Sequence, residues 1–289
     1  MTRLPENIFI EANELSNQLN NTIVLDCRFS LVDPQAGIND YRQGHIPGAF
    51  YCDLNQHLSN LNNPEGGRHP LPEAGDFFQQ LRRWGIGPQS QVVVYDDQRF
   101  AFASRAWWLL RAAGIADVRL LNGGYKAWTN TGNPQDRRSP AEKTLFALPP
   151  QKALLNGQQI KNHDDIFASL SNSSLQLVDS REAFRYNGES EPIDPIAGHI
   201  PGAVNFPWTD VSDENGMIKP LEFHRQRWQS LTHQDGDVVV YCGSGVTACV
   251  NLLSAKIAGH DFALYPGSWS EWCSQDQPPV ATRQEPSIG

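Results

Sequence analysis

The sequence predicts an α/β protein made of two tandem domains of one type, each a mostly parallel sheet flanked by helices. Three observations carry this. A chain of 289 residues is long for a single hydrophobic core. Short apolar runs alternate with helical stretches, such as Phe102 to Ala113 ended by Gly114, which is the pattern of parallel strands joined by crossover helices. The second half of the chain also repeats landmarks of the first in the same order.

Taken in order, the first landmark is an apolar strand ending in Asp-x-Arg: Ile23 to Arg28, which returns as Leu175 to Arg181. Gly44-His45-Ile46-Pro47-Gly48-Ala49 returns unchanged as Gly198 to Ala203. Val92-Val93-Val94-Tyr95-Asp96 answers Val238-Val239-Val240-Tyr241-Cys242, and Gly123 to Trp128 answers Gly267 to Trp272. The spacings drift by loop-sized amounts, as two copies with different loops require. The polar, proline-broken stretch from Thr131 to Pro150 reads as the connection. The boundaries are therefore 1–132 for the first domain, 133–150 for the linker and 151–289 for the second domain. Because His45 and His199 occur in both copies, they read as structural, and Arg181 reads as an ion-pair partner like Arg28.

Lys plus Arg is 23 and Asp plus Glu 32, a net charge of −9 without basic blocks, and nothing in this pattern suggests a nucleic-acid or membrane-surface partner. Met1 to Asn7 lacks the basic-then-apolar pattern of a secretory signal, and no apolar run reaches membrane-spanning length. A cytoplasmic protein is expected. The five cysteines, at 27, 52, 242, 249 and 273, have no metal-site spacing and read as free thiols in a reducing compartment. Cys27, Cys52, Cys249 and Cys273 read as small core residues.

Cys242 stands apart. Val238 to Tyr241 is a buried strand, Gly243-Ser244-Gly245 a small-residue loop, and the apolar spacing Val246, Val250, Leu253, Ile257 a helix stopped by Gly259. A thiol between a strand end and a helix start meets N–H groups without intrahelical partners, which favour a thiolate. Gly243 and Gly245 allow the backbone to curl into an anion-binding nest. From this local chemistry alone a reactive cysteine and a buried structural one remain equally open.

Strand, Cys242-Gly243-Ser244-Gly245-Val246-Thr247 and helix together resemble the active-site loop of the rhodanese-like sulfurtransferases. Residues 242 to 247 match the CG(S/T)GVT loop of the 3-mercaptopyruvate branch at every position, whereas thiosulfate-preferring members carry basic residues directly after the cysteine. The resemblance covers nearly the whole chain and implies two tandem rhodanese-like domains. It implies that Cys242 takes a sulfur atom from a small-molecule donor as a persulfide and passes it to a thiol such as thioredoxin or a small thiol, or to cyanide. No cofactor or metal is implied. Gly243, Gly245, Val246 and Thr247 form the substrate loop. Ser244 and Thr247 fill the nest and cap the helix, or one hydroxyl relays a proton to the departing enolate. Arg185 falls on the family's substrate arginine. Asp194 stands where the branch has a second arginine, and Arg68 is the candidate replacement. His69 matches a proposed proton-relay histidine, with Asn55 where its aspartate partner stands. The first domain carries Asp96 where the second carries Cys242; a carboxylate cannot hold a persulfide, so that copy is silent and shapes a cleft wall.

Three other readings are open to the same loop. A thiosulfate:cyanide sulfurtransferase is suggested by Asp194. A persulfide relay protein would use identical loop chemistry with a partner-bound donor. A cysteine phosphatase of this fold needs a longer loop and an arginine six positions after the cysteine, where this chain has Ala248.

Overall fold

The structure, a computed structural model, describes residues 8–63, 65–142, 160–172, 174–231 and 237–282. Two compact units divide the chain: residues 1–60, 71–155 and 212–221 form the first, and 61–70, 156–211 and 222–289 the second. A ten-residue loop of the N-terminal half thus belongs to the second unit.

In the first unit, strands β1 (Phe9–Ile10), β2 (Ile23–Asp26), β3 (Phe50–Tyr51), β4 (Gln91–Tyr95) and β5 (Asp117–Leu121) form a sheet in the order β1-β5-β4-β2-β3. Every pairing is parallel. Val92, Val93 and Val94 in the middle strand are all buried, as a strand covered by helices on both faces requires. The helices are α1 (Ala12–Gln18), α2 (Ala36–Gln43), α3 (Leu54–His57), α4 (Ala74–Trp84), α5 (Ala103–Ala112) and α6 (Gly124–Asn130).

The second unit repeats the plan. Strands β6 (Leu175–Asp179), β7 (Val204–Asn205), β8 (Asp237–Tyr241) and β9 (Ala263–Leu264) pair in parallel in the order β7-β6-β8-β9, and Ile160 adds a parallel bridge to Leu264. Its helices are α7 (His163–Asn172), α8 (Ala183–Tyr186), α9 (Leu221–Gln229), α10 (Ala248–Ala258) and α11 (Ser268–Trp272). Helix α10 begins at Ala248, two residues after the first apolar position of its expected periodicity, because 243–247 are spent on the loop. It ends at Gly259, whose φ of 96° is the left-handed stop that glycine supplies.

The repeated landmarks serve the same structural ends in each unit. Arg28 forks onto Asp26, donates to Gly44 O and lies over Tyr125; Arg181 forks onto Asp179, donates to Gly198 O and lies over Trp269. His45 stacks on Tyr41 and bonds its carbonyl, as His199 does with Tyr186. The start of the expected linker is not free chain. Trp128 Nε1 donates to Pro134 O, and His45 exchanges backbone hydrogen bonds with Asp136. In the second copy Trp272 donates to Pro279 O and His199 pairs with Ala281, so this strap belongs to the repeat itself. Residues 143–150 of the expected linker lie outside the described residues.

Candidate active site

Cys242 is the first residue beyond β8, at the carboxyl edge of the sheet between β6 and β9. Parallel α/β sheets place their ligand sites at this edge. The loop after it is clamped from the α11 side. Cys242 N donates to Ser268 Oγ at 3.1 Å, Trp269 N to Cys242 O at 3.0 Å and Ser270 N to Gly243 O at 2.9 Å. Gly245 takes φ +72°, and a Cβ there would stand 2.3 Å from Pro266 O, so only glycine fits. Val246 is buried, with its carbonyl accepting from Cys249 N, and Thr247 precedes α10. The Thr247 side chain makes no capping bond; its backbone is already helical there, whereas a side-chain cap needs an extended residue.

Ser268 is itself a non-glycine residue at φ +55° and fully buried, held by its hydroxyl's bonds to Cys242 N and Tyr265 O. Strain of this kind persists only where the surroundings over-determine it. Sequence reasoning missed it, although the first copy carries Gly124, at φ +57°, in the matching place.

Four of the remaining predicted side chains converge on the loop. Ser244 Oγ lies 2.8 Å from His69 Nδ1, both residues buried. A Cβ built on Gly243 would lie 3.2 Å from Arg68 Nη2 and 3.5 and 3.7 Å from Arg185 Nη2 and Nη1, so two guanidinium groups stand over Gly243. Arg68 and His69 reach this position on the loop that belongs to the second unit, anchored by Arg68 N donating to Ser270 Oγ at 3.0 Å. Asn55, in the first unit, has a buried Oδ1 with no hydrogen-bond partner among the described residues.

The carboxylates holding the arginines were not legible in the sequence. Arg185 Nε and Nη2 fork onto Glu191, at 3.0 and 2.7 Å, and Nη2 also reaches Asp194 Oδ2 at 3.3 Å. Arg68 Nη1 donates to Asp194 Oδ1 at 2.5 Å. Burial pushes the Glu191 carboxyl up, but the Arg185 guanidinium and the N–H groups of Asp194 and Ile193 outweigh it and hold the group below the ordinary glutamate range. Cys242 and the other four cysteines are unbridged and buried. Cys52 differs from an ordinary core thiol: burial pushes it up, yet hydrogen bonds from Cys27 and His57 hold it down overall. Among the described residues no group of three or more His, Cys, Asp or Glu gathers as a metal site would require, and no helix is long and apolar enough to cross a membrane.

A buried thiol thus lies at the carboxyl edge of a parallel sheet, in a clamped glycine loop under two arginines and beside a Ser–His pair. The model of the rhodanese-like domain matches residues 11–131 and 163–275, and the chain belongs to that family. It is 41% identical to a Pseudomonas aeruginosa protein provisionally named a 3-mercaptopyruvate sulfurtransferase, over 94% of this chain and 97% of that one. It is 37% identical to a Mycobacterium tuberculosis protein provisionally named a thiosulfate sulfurtransferase, over 94% and 96%. Among solved structures, the 3-mercaptopyruvate sulfurtransferase from Leishmania major superposes with a TM-score of 0.82 at 29% identity, covering 97% of this chain and 78% of that one.

Proposed function

We propose that this protein is a sulfurtransferase that moves the sulfur of 3-mercaptopyruvate through a persulfide on Cys242 to a thiol or cyanide acceptor, releasing pyruvate. The observation that carries this reading is the convergence of two guanidinium groups and a Ser–His pair on the Cys242 loop. The family membership and the names of the similar proteins support it.

In the first step the Cys242 thiolate attacks the donor sulfur. The carbon–sulfur bond breaks with its electron pair staying on carbon, and the resulting enolate takes a proton to become pyruvate. Arg185 and Arg68 hold the donor carboxylate, a task suited to the planar forks of arginine. Ser244, bonded to His69, is placed to deliver the proton from its hydroxyl and to be recharged by the imidazole. In the second step an acceptor thiolate attacks the outer sulfur of the persulfide, restoring the Cys242 thiolate. Two displacements through one covalent intermediate give ping-pong kinetics.

The thiosulfate reading is supported by the name of the Mycobacterium tuberculosis relative. Gly243 and Ser244 follow the cysteine here, so the loop itself supplies no side-chain cation for a dianion. The test is steady-state sulfur transfer to cyanide from each donor with wild type and Cys242→Ser. A preference for 3-mercaptopyruvate that disappears in the mutant, with a one-sulfur mass gain on the Cys242 peptide of wild type, is expected. A preference for thiosulfate would overturn the donor assignment, and full activity in Cys242→Ser would overturn the mechanism.

A further inference from the structure

We infer that Asp194 is the residue that sets the charge selectivity of this site: by bridging Arg68 and Arg185 it matches the site to a monoanionic carboxylate donor and against a dianionic one. This rests on the sulfurtransferase reading for its substrates, though not for its physical basis.

The groups around Gly243 form a closed charge set. Three guanidinium groups, Arg68, Arg181 and Arg185, are engaged by three carboxylates, Asp179, Glu191 and Asp194. Glu182 adds a distant carboxylate at the rim, 3.9 Å from Arg185 Nη1 and 37% exposed. The inner set balances to zero. Asp179 is spent on Arg181 and Glu191 on Arg181 and the Arg185 fork, so among the described residues Asp194 is the carboxylate whose two oxygens go to different substrate-side cations, Oδ1 to Arg68 and Oδ2 to Arg185.

Two consequences follow. The first is positional. Two guanidinium groups over the same glycine repel one another, and the Arg68 side chain, at 31% exposure, has room to swing into solvent. A carboxylate with 3% side-chain exposure between them fixes both, and leaves Arg68 Nη2 and Arg185 Nη1 turned toward Gly243. The second is electrostatic. Asp194 cancels one of the two positive charges over Gly243, so in a set balanced at zero a single carboxylate meets two guanidinium nitrogens, Arg68 Nη2 and Arg185 Nη1, and adds one net negative charge. A dianion such as thiosulfate adds two negative charges to the same balanced set, and the second, with no further cation to meet it, is the costlier to desolvate.

The test uses wild type, Asp194→Asn, Asp194→Glu and Arg68→Met in two assays. The first compares kcat/KM for thiosulfate and 3-mercaptopyruvate. Asp194→Asn is expected to raise the thiosulfate to 3-mercaptopyruvate ratio about tenfold, the scale of one charge-assisted contact, and Asp194→Glu to return it toward wild type. The second needs no turnover: it measures alkylation of Cys242 by iodoacetate relative to neutral iodoacetamide, read on the Cys242 peptide by mass spectrometry. This anion preference should rise in Asp194→Asn and fall in Arg68→Met. A purely structural role would lower all rates together and move neither ratio, and that result would overturn the inference. If wild type turned over neither donor, the sulfurtransferase reading would fail, while the alkylation ratios would still decide whether Asp194 tunes the charge at Cys242.

Discussion

Replacing Gly245 with alanine tests whether the loop is built by backbone geometry. The residue sits at φ +72°, where a side chain costs about 1–2 kcal/mol. Its Cβ would lie 2.3 Å from Pro266 O and 3.1 Å from Pro266 C. Unlike a side-chain tip, that backbone cannot turn aside, and relieving such an overlap costs roughly 1–3 kcal/mol. Pro266 leads directly into Ser268, Trp269 and Ser270, whose bonds to Cys242 and Gly243 fix the loop. The total is about 2–5 kcal/mol, or a Tm loss of roughly 5–15 °C for a unit of this size, with loss of sulfur transfer. Gly243→Ala is the control. Its φ lies outside the left-handed region, and the nearest atoms to its Cβ are guanidinium tips at 3.2–3.7 Å. It should keep the wild-type Tm within about 2 °C but raise the donor KM by filling the space under both arginines. Calorimetric scans and donor titrations of the pair decide the matter. A Gly245→Ala enzyme with unchanged Tm, or a Gly243→Ala enzyme that is the less stable of the two, would refute the reasoning.

Further outcomes are expected. Ser244→Ala should lower kcat for 3-mercaptopyruvate by about 10²-fold, the scale of a positioned proton donor, and affect thiosulfate far less because that donor releases no enolate; equal losses with both would remove the proton role. Arg181→Ala strips the partner from Asp179, whose side chain is wholly buried, and should cost about 3–5 kcal/mol in chemical denaturation. His199 is held below its ordinary pKa chiefly by burial. A lowered histidine contributes stability that is fully present above about pH 6.5 and is lost as the pH falls through its lower folded value. Replacement by glutamine should therefore shrink the fall in Tm between pH 7.5 and pH 5, and an unchanged fall would show that other groups carry it.

The fold was legible because its signals are local and occur twice. Buried valine runs, the Asp-x-Arg strand ends and the Gly-His-Ile-Pro-Gly-Ala turns each reappear in structurally matching places. The Cys242 loop was legible for a related reason, since its glycines and cysteine are adjacent in sequence. What was not legible depends on contacts between distant positions. Arg68 and Asp194 are 126 residues apart, and nothing in either segment announces the pair. Asp194, read as a departure from an arginine, is the acceptor that holds two arginines. The strap at Pro134 to Asp136 reads as linker by composition, because its anchoring is a tryptophan N–H and a short backbone bridge that leave no periodic trace. Thr247 reads as a helix cap by residue type, but its backbone has already turned helical.

The first copy supplies an internal comparison for the loop's chemistry. Asp96 follows β4 as Cys242 follows β8, and its carboxylate accepts four backbone N–H groups of its own loop: Gln98 and Phe100 on Oδ1, Phe102 and Ala103 on Oδ2. The turn that brings them round uses positive φ at Arg99 and Phe100, where the second copy uses Gly245. In the first unit, then, the loop after the central strand is a ring of donors around a resident carboxyl group. The same place in the second unit holds a thiol in a shorter, glycine-rich loop, without a resident carboxylate. A site whose sister copy is filled by a built-in carboxyl group is one suited to an anion that comes and goes, which in the proposed mechanism is first the Cys242 thiolate and then its persulfide. By this argument Asp96→Ala should destabilise the first unit, because each buried N–H left without an acceptor costs about 1–3 kcal/mol, while donor turnover at Cys242 persists in the fraction that stays folded.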